Sequence, residues 1–296
     1  MNYGKKGVRA KQKALNSKSQ KWGRKLALTC VKIMLAAVVG IGICGVAAGI
    51  GVFRGILSST PTIRLSDVVA VGEATIVYDK EGNEIDQYVS TNSNRLSVGM
   101  DEIPDYMGKA FVAIEDERFY QHNGIDFKSI LRAGYQFFKT GGEEAQGAST
   151  ITQQLARNFF LSPERTLMRK IKEVFLAIRI EQLLTKDEIL ELYLNKIYLG
   201  YRAYGVGAAA QVYFGKTVDQ LTLNEMAVIA GLPKAPSTFN PLYSMDRAVA
   251  RRNVVLSRML DEGYITQQQF DQTRTEAINA NYHAPEIAFS APYLSE

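Results

Sequence analysis

Between Ile33 and Phe53 the chain runs for twenty-one residues without a charge, IMLAAVVGIGICGVAAGIGVF. No other feature limits the fold so strongly. At about 1.5 Å per helical residue the run reaches roughly 31 Å, the thickness of a hydrocarbon core. Lys32 and Arg54 bracket it and can snorkel toward headgroups. Ten of the 35 basic residues precede Ile33, and no acid occurs before Asp67. The positive-inside rule then puts residues 1–25 in the cytoplasm as a basic tail and 26–54 across the membrane as a signal-anchor helix, with the rest outside. The tail is rich in Lys, Gln and Ser and is expected to be disordered. A cleaved signal peptide is the rival reading, with small residues at Ala47 and Ala48 as the cleavage site. The run is longer than a usual signal core, which favours an uncleaved anchor.

The net charge of +5 comes from that tail. From Ile33 onward 25 bases face 30 acids, a mildly acidic remainder that argues against a nucleic-acid partner. Two His residues exclude a His-rich zinc site. Cys30 and Cys44 would lie about 21 Å apart on one helix and cannot pair.

Residues 55–99 read as an extracytoplasmic stalk. Ala74 to Tyr78 and Glu84 to Val89 alternate like strands, and Asp79 to Asn83 between them has turn composition, so a β-hairpin is expected. From Pro104 onward apolar residues recur at three and four. The spacing predicts helices over 126–138, 149–160, 164–184, 186–197, 203–213, 222–231, 246–262 and 266–280. Gly and Pro punctuate the joins. The fold class is mostly α, one domain over 100–280, with a small hairpin stalk and a single N-terminal transmembrane helix. Residues 281–296 are Ala/Pro-rich and read as a linker.

Three stretches carry chemistry. In AFVAIEDERFYQHNG, Met107, Ala110, Phe111 and Ile114 form an apolar stripe that delivers Glu115 to the last turn of a helix. An acid held there sits rigidly at a cleft edge, although most acidic triplets are solvated helix ends. In GASTITQQLARN, Ser149 is placed to cap a helix. Gln153, Gln154, Arg157 and Asn158 then give a dense donor set suited to sugar hydroxyls or phosphate oxygens. On the helix from 164 to 184, Ile171, Val174, Phe175 and Ile178 are expected to face the core. Arg165, Arg169 and Glu173 follow at i, i+4 and i+8 with Lys170 beside them. That row is either a weak ladder of ion pairs or a cationic strip for a diphosphate. The apolar segment Ile130 to Phe138 is either ordinary core or a surface that dips into the outer leaflet. His122 reads as a hydrogen-bonded structural residue. Lys139-Thr140-Gly141 mimics a transpeptidase motif, but no Ser has a Lys three positions on, so no acyl-serine site exists here.

EDERFYQHNG, GASTITQQLARN, RKIKE, ELYLNKIYLG and GVGAAAQVYFGK stand in the order and spacing of the bacterial peptidoglycan glycosyltransferases. The chain resembles that family over roughly 100–280, and its anchor and stalk look like the N-terminal part of class A penicillin-binding proteins. The resemblance implies a lysozyme-like helical fold and a reaction on lipid II, a disaccharide-peptide carried on undecaprenyl diphosphate. The acceptor's GlcNAc 4-hydroxyl attacks the anomeric carbon of the growing chain's MurNAc, with inversion to a β-1,4 link. It also implies roles. Glu115 matches the catalytic base, and Glu173 the second carboxylate near the donor's diphosphate. Arg157, Arg165, Arg169 and Lys170 match diphosphate-binding positions, and Ser149, Gln153, Gln154 and Asn158 match polar contacts of the cleft. Phe119 and Arg132 match supporting positions. Many relatives carry Lys where this chain has Arg157. No organic cofactor is implied; a divalent cation, Mg or Mn, would bridge the diphosphate and Glu173 if one is used. The implied partners are lipid II, the growing glycan, the membrane and proteins of cell-wall synthesis or division complexes. Moenomycin is expected to bind the cleft, and residues 281–296 are expected to lead to a transpeptidase domain. Two other readings stay open: a lysozyme-like lytic hydrolase, which needs no diphosphate strip, and a non-catalytic wall scaffold, which needs neither acid.

Overall fold

The computed structural model describes residues 4–15, 18–58, 75–78, 80–81, 84–88, 94–141, 147–160 and 166–284. The chain divides into two compact units, Met1–Ser59 and Thr60–Glu296. In the first, helix α1 (Lys5–Leu15) precedes the long helix α2 (Lys18–Ser58). The tail is therefore helical over Lys5–Leu15 rather than disordered. Lys, Arg, Gln and Ala are all good helix formers, and no Pro interrupts them. Within α2, Trp22–Ala47 is long and apolar enough to cross a membrane, and none of it is buried within the protein.

In the second unit β1 (Thr75–Tyr78) and β2 (Glu84–Tyr88) pair antiparallel, Thr75 opposite Tyr88 and Tyr78 opposite Glu84, as the alternation predicted. A short β3 (Asn94–Arg95) pairs in parallel with β4 (Ala203–Tyr204). Just beyond it, Asn195 grips the Val98 backbone through both its amide groups, at 2.9 and 2.8 Å. The end of the stalk is thereby fastened to the helical domain.

That domain holds α3 (Asp105–Glu115), α4 (Phe127–Lys139), α5 (Ile151–Phe160), α6 (Leu167–Leu183), α7 (Lys186–Lys196), α8 (Val206–Phe214), α9 (Leu223–Gly231), α10 (Met245–Asp261) and α11 (Gln267–Thr273). Two of the predicted spans are shortened. Residues 203–204 form a strand because Gly205, at φ 85°, breaks the run before α8. The last helix stops at Thr273, although apolar spacing continues to 280.

The core lies where α3 packs between α9 and α10, while α5 packs on α6 and α7. Met107, Ala110 and Phe111 of α3 are fully buried. Full burial of side chains such as Met107 and Phe111 contributes roughly 2–3 kcal/mol each before entropy is subtracted. α9 is buried along almost its whole length, whereas no residue of α4 is buried.

Candidate active site

Glu115 is the last residue of α3, held at the rim by the buried stripe behind it. Its side chain is 14% exposed. Gln154 donates its amide N–H to Glu115 Oε2 at 2.8 Å. Tyr193, fully buried on α7, donates its hydroxyl to Gln154 Oε1 at 3.1 Å. Tyr193 thus fixes which end of the Gln154 amide faces the acid. Burial, then the charge of Glu115, pushes the Tyr193 phenol well up, so it remains a donor. On the other side Arg251 Nη2 stands 4.0 Å from Glu115 Oε1. Arg251 donates to the Gly231 carbonyl at 3.0 Å and lies over the Phe239 ring. Burial raises the proton affinity of Glu115 above the usual value; the Gln154 bond, Arg251 and Arg157 oppose it without cancelling it.

The loop after Glu115 is tied down residue by residue. Asp116 accepts from His122 Nε2 and from the Ile151 backbone N–H, each at 3.0 Å. His122 is the structural residue its surroundings suggested. Arg118 pairs with Asp126 at 2.7 Å, and Asp126 caps α4 by accepting from Ser129 N–H. Burial alone would raise the Asp126 pKa, but the Ser129 amide and Arg118 outweigh it and bring it to about 2. Arg132 of α4 holds Glu117 at 2.6 Å. Phe119 is fully buried with Lys186 over its ring, so it supports the loop and offers no surface to a ligand.

The second acid sits on α6. Glu173 is 1% exposed and meets Lys170 Nζ at 2.9 Å and Arg169 Nε at 3.3 Å. Lys170 also donates to Ser149 at 2.7 Å and reaches Gln153 Oε1 at 3.5 Å. The two acids are therefore connected through neighbouring residues of α5: Gln154 holds Glu115, and Gln153 meets the cation that holds Glu173.

Several sequence expectations change here. Thr150, not Ser149, caps α5: its hydroxyl accepts from Gln153 N–H at 3.1 Å and donates to the Gly124 carbonyl at 2.7 Å. Ser149 is left to receive Lys170. α6 begins at Leu167 with Thr166 as its cap, three residues later than predicted. Its buried stripe is Glu173, Leu176, Ala177 and Ile180, while Ile171, Val174, Phe175 and Ile178 are only half-buried. Gln153 and Gln154 point inward and are buried; Arg157 is half-buried and Asn158 exposed. Arg165 lies outside the described residues.

Residues 81–260 match the transglycosylase family. The chain belongs to that family. It is 71% identical over 266 residues to penicillin-binding protein 1A of Escherichia coli (strain K12), covering 90% of this chain and 31% of the relative. To penicillin-binding protein 1A of Vibrio cholerae it is 52% identical over 254 residues, covering 86% and 30%. Among solved structures it is similar to the crystal structure of penicillin-binding protein 1A from Haemophilus influenzae, at 35% identity over 75% of this chain and 23% of that one, with a TM-score of 0.40. The chain spans about a third of the length of the curated relatives it matches.

Within this transglycosylase domain, sequence reasoning missed Arg251 and Tyr193. A signal for the first was present: Arg251 and Arg252 interrupt an apolar stripe, Ala248, Val255, Leu256 and Met259, where a charge needs a buried partner. Arg252 finds its partners in Asn224 and the carbonyls of Arg274 and Glu276. Arg251 finds Glu115. Glu173 is also the residue at which a divalent cation bridging the diphosphate was expected. Two cations already share that carboxylate, and among the described residues no group of three His, Cys, Asp or Glu could hold a metal.

Proposed function

We propose that this chain is a peptidoglycan glycosyltransferase that polymerises lipid II into glycan strands and releases undecaprenyl diphosphate. The observation that carries the reading is the pair of differently held carboxylates, on α3 and α6, tied together through adjacent residues of α5: Gln154 bonds Glu115, and Gln153 meets the lysine that holds Glu173. Glu115 has raised proton affinity and a fixed neutral donor, which suits a base that takes the proton from an acceptor hydroxyl. The acceptor oxygen then bonds to the donor's anomeric carbon as the bond from that carbon to the diphosphate oxygen breaks. Lys170 and Arg169, aligned by Glu173, and Arg157 supply positive charge for the departing diphosphate. Ser149 and Gln153 meet Lys170, and Asn158 is exposed one residue beyond Arg157 on the same helix; Arg165, two residues before α6 in the sequence, is assigned to the same diphosphate. A hydrolase would have no use for the cationic strip, and a scaffold none for Glu115.

Membrane attachment supports the same reading. Residues 26–54 span the membrane once, with residues 1–25 in the cytoplasm and the catalytic domain outside, where lipid II is presented. On α4, Phe127, Leu131, Tyr135 and Phe138 fall at i, i+4, i+8 and i+11 and all face outward, Phe138 at 86% exposure. Such a stripe enters the outer leaflet and lets a lipid tail approach from the side. Proteins of a wall-synthesis or division complex are the partners this placement allows. One assay tests the activity: lipid II is given to the purified full chain and the products are sized on a gel. The reading expects long glycan, blocked by moenomycin. Shortening of preformed glycan would replace it with the hydrolase, and untouched substrate with the scaffold.

A further inference from the structure

A cavity of about 420 Å3 opens at the entry to α10, the helix that also carries Arg251. Its volume falls in the range of roughly 300–1,000 Å3 typical of ligand sites. Tyr198 and Tyr201 line it from the loop before α8, Ser237 and Thr238 from the loop after α9, and Tyr243 and Arg247 from the entry to α10. All three tyrosines are exposed. Arg247 is exposed too, and among the described residues it has neither an ion-pair nor a hydrogen-bond partner. No acidic side chain lines the cavity. The charge of Arg247 is therefore not neutralised from within it.

The wall is built to hold a shape. Gly200, Tyr201 and Arg202 take φ values of 91°, 46° and 60°, three successive residues in a conformation that L side chains rarely adopt. A Cβ on Gly200 would come within 2.7 Å of the Tyr213 hydroxyl. That hydroxyl, buried beneath the turn, donates to the Leu199 carbonyl at 2.8 Å and accepts from Asn240 at 3.0 Å. One buried phenol thus locks the two loops that form the cavity. The turn spends backbone strain on presenting Tyr201.

The cavity is joined to the catalytic centre by α10. Arg247 precedes Arg251 by four residues, so the two lie on one face about 6 Å apart. Arg251 faces Glu115, and its guanidinium lies 5.5 Å from the centre of the Phe239 ring, next in sequence to Thr238 and Asn240. Arg247, on the cavity wall, thus stands one helical turn from the arginine that faces Glu115. Aromatic faces suit the C–H faces of a sugar ring, and an unneutralised guanidinium suits a carboxylate.

We propose that this cavity is a subsite for the carboxylate-bearing part of the acceptor, a saccharide with a peptide whose carboxylate Arg247 receives. The proposal rests on the transferase reading above. Arg247 sets which acceptors are bound rather than the rate of the chemical step. The test uses soluble disaccharide-peptides, one set with free carboxylates and one amidated, titrated calorimetrically into the full chain in detergent. The free acid should bind the wild type about tenfold more tightly than the amide, and Arg247→Gln should remove that difference while leaving the amide's affinity unchanged. Equal binding of acid and amide by the wild type, or an undiminished preference in Arg247→Gln, would overturn it. Arg247→Lys should restore part of the preference. These titrations need no turnover. If the polymerisation assay fails while the acid is still preferred, the transferase reading falls, and with it the acceptor role, but carboxylate recognition by Arg247 stands.

Discussion

The two acids of the site are buried in opposite ways. Glu115 is dehydrated beside a neutral amide, with its nearest cation at 4.0 Å, and its proton affinity rises. Glu173 is buried more deeply but lies between two cations at 2.9 and 3.3 Å. The first arrangement leaves a carboxylate that responds to a proton. The second uses a carboxylate to hold cations in place. Burial alone thus does not define a catalytic acid; what satisfies it does.

Substitutions at the two acids should separate them. The largest effect is expected for Glu115→Gln, with polymerisation falling by about 10³-fold. The folded-state pKa of Glu115 is raised, so ionising it costs stability as pH rises from the ordinary 4.5 through the raised value. The Gln variant removes that cost and should melt at or above the wild-type temperature at neutral pH. Glu173→Gln should behave differently. It removes the charge that Lys170 and Arg169 share, lowering polymerisation by about 10²-fold and stability by about 2 kcal/mol, read by denaturant titration. A stable Glu173→Gln protein would erase the distinction.

Smaller changes sharpen it. Tyr193→Phe frees the Gln154 amide to turn, at about 1 kcal/mol of stability. Glu115 then loses part of what holds its proton affinity down, and the acid limb of the pH–rate profile should move to higher pH. Thr150→Ala removes the α5 cap at a cost of about 1 kcal/mol in thermal or chemical unfolding. Its activity should fall only as far as the folded fraction does.

The helices were legible because apolar spacing survives wherever one face meets the core; α3, α7, α9 and α10 all follow it. The same signal misplaced the buried face of α6. A carboxylate on the core stripe counts against burial in any apolar pattern, so the half-buried Ile171, Val174, Phe175 and Ile178 took the place of Glu173, Leu176, Ala177 and Ile180. Arg251 was hidden for the same reason. The α5 cap was ambiguous between two adjacent hydroxyl residues, and only the bond from Thr150 to Gly124, twenty-six positions away, decides it. Gln153 and Gln154 looked like ligand-facing donors because polar residues are expected outside. Their partners, Tyr193 and Lys170, come from two other helices, and no local pattern encodes that meeting.

The central claim is that a dehydrated, amide-held Glu115 takes the acceptor's proton. The pH dependence of kcat/KM for lipid II polymerisation by the full chain tests it most directly. The account predicts one ionisation on the acid limb, lying above 4.5 and moving further up in Tyr193→Phe. A limb at or below 4.5, or one that Tyr193→Phe leaves in place, would contradict it.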